Sequence, residues 1–239
     1  MQDSLPVFVL DYPEAHVAVR EIAHRFGELE ATRLPSLGER PVSLDMVPHR
    51  LPSTPFLVIN GSGNYHHETA PLVEGFLAAR PGQRFSYVQI DAHPDKDDRF
   101  RWKCDCASFV GRILKHPALV GLWQLGIYPP CLEDTSRPGH LFTPRLGYYG
   151  ENYFRRLHTY VAAGDDVTEL FWEYQPEDLQ QAQQNPSIAE VHVTHQVPPP
   201  LRKGTPAFLR EETPRPCLEV RWRRLMEFDP ARELPPDPV

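Results

Sequence analysis

The chain has 239 residues and a formal net charge of -7, and its composition is 41% hydrophobic and 24% charged. Such a composition is ordinary for a folded globular protein and excludes a wholly disordered chain. The length favours one main domain. The negative charge argues against a nucleic-acid partner, because binding to phosphate backbones is driven largely by Lys and Arg.

No apolar stretch approaches the roughly 20 residues that span a bilayer, and the N-terminal sequence lacks the basic head and long apolar middle of a signal peptide. We therefore expect a cytoplasmic protein without a membrane partner. The four cysteines are few for this length, and cytosolic thiols stay reduced, so we expect no structural disulfide.

Six short apolar runs rich in β-branched and aromatic residues predict strands, at residues 7–10, 56–60, 85–90, 120–127, 167–174 and 188–194. Apolar residues recur with helical spacing and predict helices at residues 15–26, 68–79, 107–115 and 149–163. Strands that alternate with helices predict an α/β fold, in which helices cover both faces of a mainly parallel sheet. The binding crevice of such a sheet lies at the carboxyl ends of its strands.

Two stretches interrupt this alternation. Residues 33–55 hold five prolines and little periodicity, which predicts a loop between the first two strands. The Gln-rich residues 180–184 follow Pro176 and Glu177, which suit a helix start, and we interpret them as a solvated helix face.

Asp91, His93 and Asp95 follow the predicted strand 85–90 and are separated by single residues. Divalent cations bind carboxylate oxygen and neutral imidazole, and a chain that leaves a strand in extended form aims alternate side chains the same way. The three side chains are therefore candidate metal ligands. The alternative is that Asp91 caps the next helix and that His93 and Asp95 are solvated turn residues.

A second polar run, from Gly61 to His67, follows the predicted strand 56–60. Its glycines let the backbone turn sharply and bring His66 or His67 beside a neighbouring strand end. The alternatives are a Gly-rich turn with two exposed histidines or a phosphate-binding loop. The spacing fits neither the dinucleotide fingerprint nor the Walker pattern.

Together the two runs resemble the arginase or ureohydrolase superfamily, whose members carry a GGDHS-like loop followed by a strand that ends in DAHxD. GNYHH at residues 63–67 is similar to the first motif, and DAHPD at residues 91–95 matches the second. The resemblance covers residues 7–194 and suggests a divergent bacterial branch with an arginase-like three-layer α/β/α fold. It implies that His66 and His93 each bind one metal of a pair, that Asp91 bridges the two, and that Asp95 binds beside His66. The metal is typically manganese.

The superfamily completes its site with a SxDxDxxDP run after a late strand, and this chain departs from that pattern. Here His195, Gln196, Val197 and three prolines follow Thr194, so both aspartates are missing. His195 could supply one nitrogen ligand, but a neutral imidazole does not replace a bridging carboxylate electrostatically. The family's proton-shuttling histidine also lacks a counterpart.

Lys103, Cys104 and Asp105 lie where that histidine is expected. Cys104 or Asp105 could act there, and the alternative is that Asp105 caps a helix. The triplet CDC at residues 104–106 raises the possibility of zinc, although structural zinc sites usually space their cysteines by two to four residues and need a second pair.

From residue 196 the chain carries ten of its 27 prolines, and proline breaks helices and central strands. We therefore predict an arginase-like domain over residues 1–195 and an irregular Pro-rich tail over residues 196–239, with a single short amphipathic piece at residues 218–228. A truncated or frame-shifted reading, or a divergent tail that closes the site differently, would each account for it.

These features support a metal-dependent hydrolase that cleaves a carbon–nitrogen bond of a small guanidine or amide substrate. His66, Asp91, His93 and Asp95 hold two manganese ions in this hypothesis, and His67 and Glu68 are the candidates for proton transfer or substrate contact. The alternative is a degenerate, non-catalytic relative that binds one metal or none. A one-metal zinc deacylase is a third possibility, and the resemblance also suggests a homo-oligomer.

Overall fold

The computed structural model describes residues 5–38, 42–43, 49–96, 103–133, 153–162, 168–198 and 212–234. These residues belong to two units, Met1–Gln83 with Phe100–Ile113 and Arg84–Arg99 with Leu114–Val239. No helix in the described part of the chain is long and apolar enough to cross a bilayer.

The first unit is built on a parallel sheet in the order β2-β1-β4, formed by Thr32–Leu34, Val7–Leu10 and Leu57–Ile59. Helix α1 (Pro13–Phe26) begins at a proline, whose missing N–H costs nothing at a helix start. A 3-10 helix (Gly63–Glu68) leads into α2 (Thr69–Ala78). The core holds Val9, Leu10, Tyr12, Ala15, Leu34 and Tyr65.

A two-stranded antiparallel pair also belongs to this unit and joins β3 (Val42–Ser43) to β6 (Lys103–Cys104). Helix α3 (Phe109–Leu114) follows β6 along the chain. The predicted loop over residues 33–55 therefore contains the end of β2 and the short strand β3. Both are too short for an alternating pattern to be visible in the sequence.

The second unit contains a parallel sheet in the order β5-β7-β8, formed by Phe85–Ile90, Leu119–Ile127 and Leu157–Val161. Two short helices, α4 (Pro130–Glu133) and α5 (Tyr153–Arg156), come between β7 and β8 in the chain. All five side chains of β8 are buried.

The unit's other sheet is antiparallel, in the order β10-β11-β9, formed by Ile188–Gln196, Arg215–Trp222 and Thr168–Trp172. Helix α6 (Pro176–Gln184) connects β9 to β10, and the backbone N–H of Gln175 donates to Asp178 Oδ2 at its start (2.8 Å). A 3-10 helix (Leu225–Glu227) and α7 (Pro230–Glu233) follow β11.

The α/β class is confirmed, and so are the strands that became β1, β4, β5, β7, β9 and β10. The predicted helix at residues 149–163 is wrong where the structure describes it, apart from α5, because residues 157–161 form β8. A strand buried on both faces shows no alternation, so its apolar spacing also fits a helix.

The tail prediction also needs correction, because residues 215–222 form the central strand of the antiparallel sheet. Pro216 pairs with His195 on β10 and precedes the first residue that pairs with β9, Cys217, so the proline lies at the strand start, where it is tolerated. The sheet was predicted to be mainly parallel, and the structure shows two parallel three-stranded sheets as well as this antiparallel one.

Candidate functional site

The loop after β5 carries the aspartates of the DAHPD motif. The backbone N–H of His93 donates to Asp91 Oδ1 (3.0 Å), which turns the chain directly after the strand. Asp95 has a φ of 47°, in the left-handed region that aspartate tolerates better than most residues. Asp95 is 7% exposed, so its carboxylate is buried at the end of this turn.

The side chain of Gln89 joins the two carboxylates. Its Nε2 donates to Asp95 Oδ2 (2.9 Å) and lies 3.3 Å from both Asp91 Oδ2 and the carbonyl oxygen of His93. The structure therefore brings Asp91 and Asp95 together through one buried amide. Gln89 was not among the predicted site residues.

Gln89 is itself held from the neighbouring strand. Gln124 Nε2 donates to Gln89 Oε1 (2.8 Å) and to the carbonyl oxygen of Pro94 (2.6 Å), and Thr159 Oγ1 on β8 donates to Gln124 Oε1 (3.2 Å). The sequence does contain a signal for this arrangement. Gln89 and Gln124 each lie between two apolar residues of a predicted strand. A buried polar group requires a partner, but the sequence does not name it.

His93 has a different environment from the two aspartates. Its side chain is 67% exposed, and its Nδ1 lies 3.6 Å from Asp91 Oδ1. The imidazole is therefore accessible to solvent and next to one carboxylate. This arrangement fits both the ligand interpretation and the solvated-turn interpretation of His93.

The loop after β4 places His66, His67 and Glu68 on a 3-10 helix of the first unit. Gly61 precedes it with a φ of 86°, and a Cβ atom there would lie 2.4 Å from the backbone nitrogen of Ala15, so only glycine fits. His66 is half-buried, and its ring packs edge-on against Phe109 with 5.8 Å between centroids.

His67 is 1% exposed and donates through Nε2 to the carbonyl oxygen of Gly38 (2.8 Å). Its Nδ1 is buried and has no hydrogen-bond partner in the part of the chain that the structure describes. The interpretation of this loop as a turn with two exposed histidines is therefore wrong, because His67 is a core residue.

Glu68 is fully buried, and its Oε1 accepts hydrogen bonds from Tyr12 Oη and from the backbone N–H of Leu37, both at 2.6 Å. Its Oε2 lies 3.6 Å from Nε2 of the buried His49. Burial alone raises the pKa of Glu68, but the interactions with His49, Tyr12 and Leu37 outweigh it and lower the pKa below its ordinary value. Glu68 is thus held ionised inside the unit.

The remaining candidates are His195, Asp105 and Cys104. His195 is exposed on β10, opposite Pro216. Asp105 accepts from the backbone N–H of Ala107 (3.1 Å) and from Ser108 Oγ (2.6 Å), in the turn that precedes α3. Cys104 is buried whereas Cys106 is exposed, and no disulfide joins any of the four cysteines, all of which the structure describes.

No protein-family model, curated protein or solved structure matches this chain.

Proposed function

We propose that this chain is a metal-dependent hydrolase of a carbon–nitrogen bond, of the guanidine or amide type, with an arginase-like three-layer α/β/α fold. The observation that carries the proposal is the pair of carboxylates, Asp91 and Asp95, held by Gln89 Nε2 at the carboxyl end of β5. That end of a parallel strand is where α/β proteins bind their ligands.

The chemistry of the pair fits a divalent cation. Asp91 and Asp95 supply hard oxygen donors that are largely removed from water, which is the ligand type that divalent cations such as Mn²⁺ take up. The motif's resemblance adds His66 and His93 as nitrogen ligands and manganese as the ion, with zinc as the alternative.

A bound divalent ion supplies a water of lowered pKa as nucleophile. The chain's own contribution is the placement of the groups around it. His67 and Glu68, expected from the sequence to transfer protons or contact substrate, are buried and hydrogen-bonded to residues 37 and 38. These contacts support a role in fixing the segment that carries His66.

A second candidate function is a degenerate relative that binds one metal or none. The end of β10 favours this candidate, because its last three residues are Thr194, His195 and Gln196 and none of them carries a carboxylate. The strand also pairs antiparallel with β11. A single carboxylate pair would hold one ion more weakly than the two pairs of a complete site.

Metal content and stoichiometry distinguish the two candidates. The purified chain would be incubated with excess MnCl₂ or ZnCl₂, desalted and measured by elemental analysis. Two manganese ions per chain, together with release of urea or amine from a guanidine and amide panel, support the hydrolase. One ion without turnover supports the degenerate relative.

Two isosteric variants and one control test the ligands. Asp91→Asn and Asp95→Asn keep the size of each side chain but remove its charge, so each should lower the retained metal by roughly tenfold or more at a fixed metal concentration. Glu28→Gln removes an exposed charge elsewhere and should retain the wild-type amount. Absence of manganese and zinc from the wild type after incubation would exclude the hydrolase and leave the degenerate relative in its metal-free form.

A further inference from the structure

Three polar side chains cross the interior of the sheet β5-β7-β8 in one row. Gln89 pairs in register with Gln124, and Gln124 pairs with Thr159. All three are buried, at 5%, 0% and 0% exposure. A buried polar side chain lowers the stability of the fold unless it is hydrogen-bonded. The hydrogen bonds among the three side chains offset this cost.

The row has a direction. Thr159 Oγ1 donates to Gln124 Oε1, and Gln124 Nε2 donates to Gln89 Oε1. A glutamine amide carries its acceptor oxygen and its donor nitrogen on opposite sides. Because Gln124 on β7 donates to Oε1 of Gln89, Nε2 of Gln89 points toward the loop. Asp91 Oδ2 and Asp95 Oδ2 both accept from this nitrogen, which agrees with the same orientation.

The two glutamines contact most of the loop between Asp91 and Asp95. Gln89 Nε2 reaches Asp91 Oδ2, Asp95 Oδ2 and the His93 carbonyl oxygen, while Gln124 Nε2 reaches the Pro94 carbonyl oxygen. The loop is therefore fixed through its backbone and through both acidic side chains.

We propose that Gln89 and Gln124 are positioning residues, which set the separation and orientation of the Asp91 and Asp95 carboxylates for a divalent cation. The inference rests on the proposed function, since it names residues that serve the same site. Neither glutamine is a ligand in this scheme. Gln89 acts through the two carboxylates, and Gln124 acts through Gln89 and the Pro94 carbonyl.

Gln89→Met and Gln124→Met test the proposal, because methionine has nearly the same length and no donor. The readouts are the dissociation constant for Mn²⁺ alone, from the electron paramagnetic resonance signal of free Mn²⁺, and the thermal midpoint of the metal-free protein. Losses of 10- to 100-fold in affinity are typical when groups that orient metal ligands are removed. We expect about that loss for Gln89→Met and a loss near the lower end for Gln124→Met.

The matched control is Asn185→Ala, which removes another buried amide from the same unit. Asn185 Nδ2 donates to the carbonyl oxygens of Phe154 and Leu157, away from the aspartate loop. This variant should lower the thermal midpoint and leave the Mn²⁺ affinity within about twofold of wild type, which separates positioning from a general loss of stability.

A second measurement covers the case in which a methionine variant does not fold. In the wild type without metal, the Gln89 side-chain amide protons should exchange slowly with solvent by nuclear magnetic resonance, and rapid exchange would overturn the inference. If the wild type binds Mn²⁺ and both methionine variants bind it equally well, the inference alone is overturned. If the wild type binds neither Mn²⁺ nor Zn²⁺, both the proposed function and the inference that rests on it are overturned.

Discussion

Tyr12 donates a 2.6 Å hydrogen bond from its hydroxyl to Oε1 of the fully buried Glu68, although 56 residues separate the two in sequence. Tyr12 also stacks on Tyr65, with 3.6 Å between ring centroids. The contact joins the start of α1 to the end of the 3-10 helix that carries His66 and His67. A buried carboxylate thus becomes part of the first unit's core.

Tyr12→Phe should destabilise the protein, because it removes one donor from an ionised carboxylate that cannot reach water instead. Hydrogen bonds to charged groups contribute about 1.5–3 kcal/mol, and we expect a loss in that range. Tyr65→Phe is the matched control, since the Tyr65 hydroxyl donates to the less buried Glu14 (2.9 Å) and should contribute about 1 kcal/mol or less. Urea unfolding at neutral pH measures both, and equal losses would contradict this account.

His158 should make the protein less stable as the pH falls. Its ring stacks on Trp123 with 4.6 Å between centroids, and burial lowers its pKa from 6.5 to about 4, partly opposed by a hydrogen bond to the backbone of Arg155. Below pH 6.5 the unfolded chain takes up a proton at this position that the folded protein does not, so stability decreases until the pH approaches 4.

The decrease should amount to about 3–4 kcal/mol at most, because one pKa unit corresponds to about 1.4 kcal/mol. His158→Phe keeps a ring against Trp123 and removes the titration. Urea midpoints measured from pH 7.5 down to pH 4 should therefore fall less steeply in the variant. Parallel pH profiles for the two proteins would show that His158 does not contribute.

Lys96 and Glu169 form a buried ion pair that links the end of the aspartate loop to β9. Lys96 Nζ lies 3.2 Å from Glu169 Oε1 and from Tyr153 Oη, and Trp222 Nε1 donates to Glu169 Oε2 (2.8 Å). Lys96→Met removes the cation and leaves the carboxylate buried, so we expect a loss of about 3–5 kcal/mol.

The double variant Lys96→Met with Glu169→Gln should be less destabilised than the two single variants added together. It removes both charges, so neither remains buried without its counter-charge. A double-mutant cycle by urea unfolding measures the coupling between the two side chains. Strict additivity would mean that the ion pair contributes nothing to stability.

The thiols of Cys104 and Cys106 should react at very different rates. Burial raises the pKa of Cys104 to about 12, and only the thiolate is a nucleophile, whereas Cys106 is exposed. Iodoacetamide at pH 8, followed by peptide mass spectrometry, should label Cys106 in the native protein and Cys104 only after unfolding. Equal labelling of the two would contradict the buried position of Cys104.

Several features of the fold could be predicted from short windows of the sequence. The apolar runs that became β1, β5 and β7 were recognisable because β-branched and aromatic residues favour extended backbone and the runs are bounded by turn residues. The alternation of Asp91, His93 and Asp95 after β5 was equally local, so both aspartates were identified as members of one loop.

The pairing of the strands and its direction could not be predicted in this way. Residues 157–161 are a strand because β7 lies beside them, and residues 215–222 pair with β9 and β10, which precede them by more than 18 residues. The same holds for Gln89, whose donor direction depends on Gln124 at the facing position of another strand. Cross-strand register sets these partners, and it arises from contacts between distant segments that no local pattern encodes.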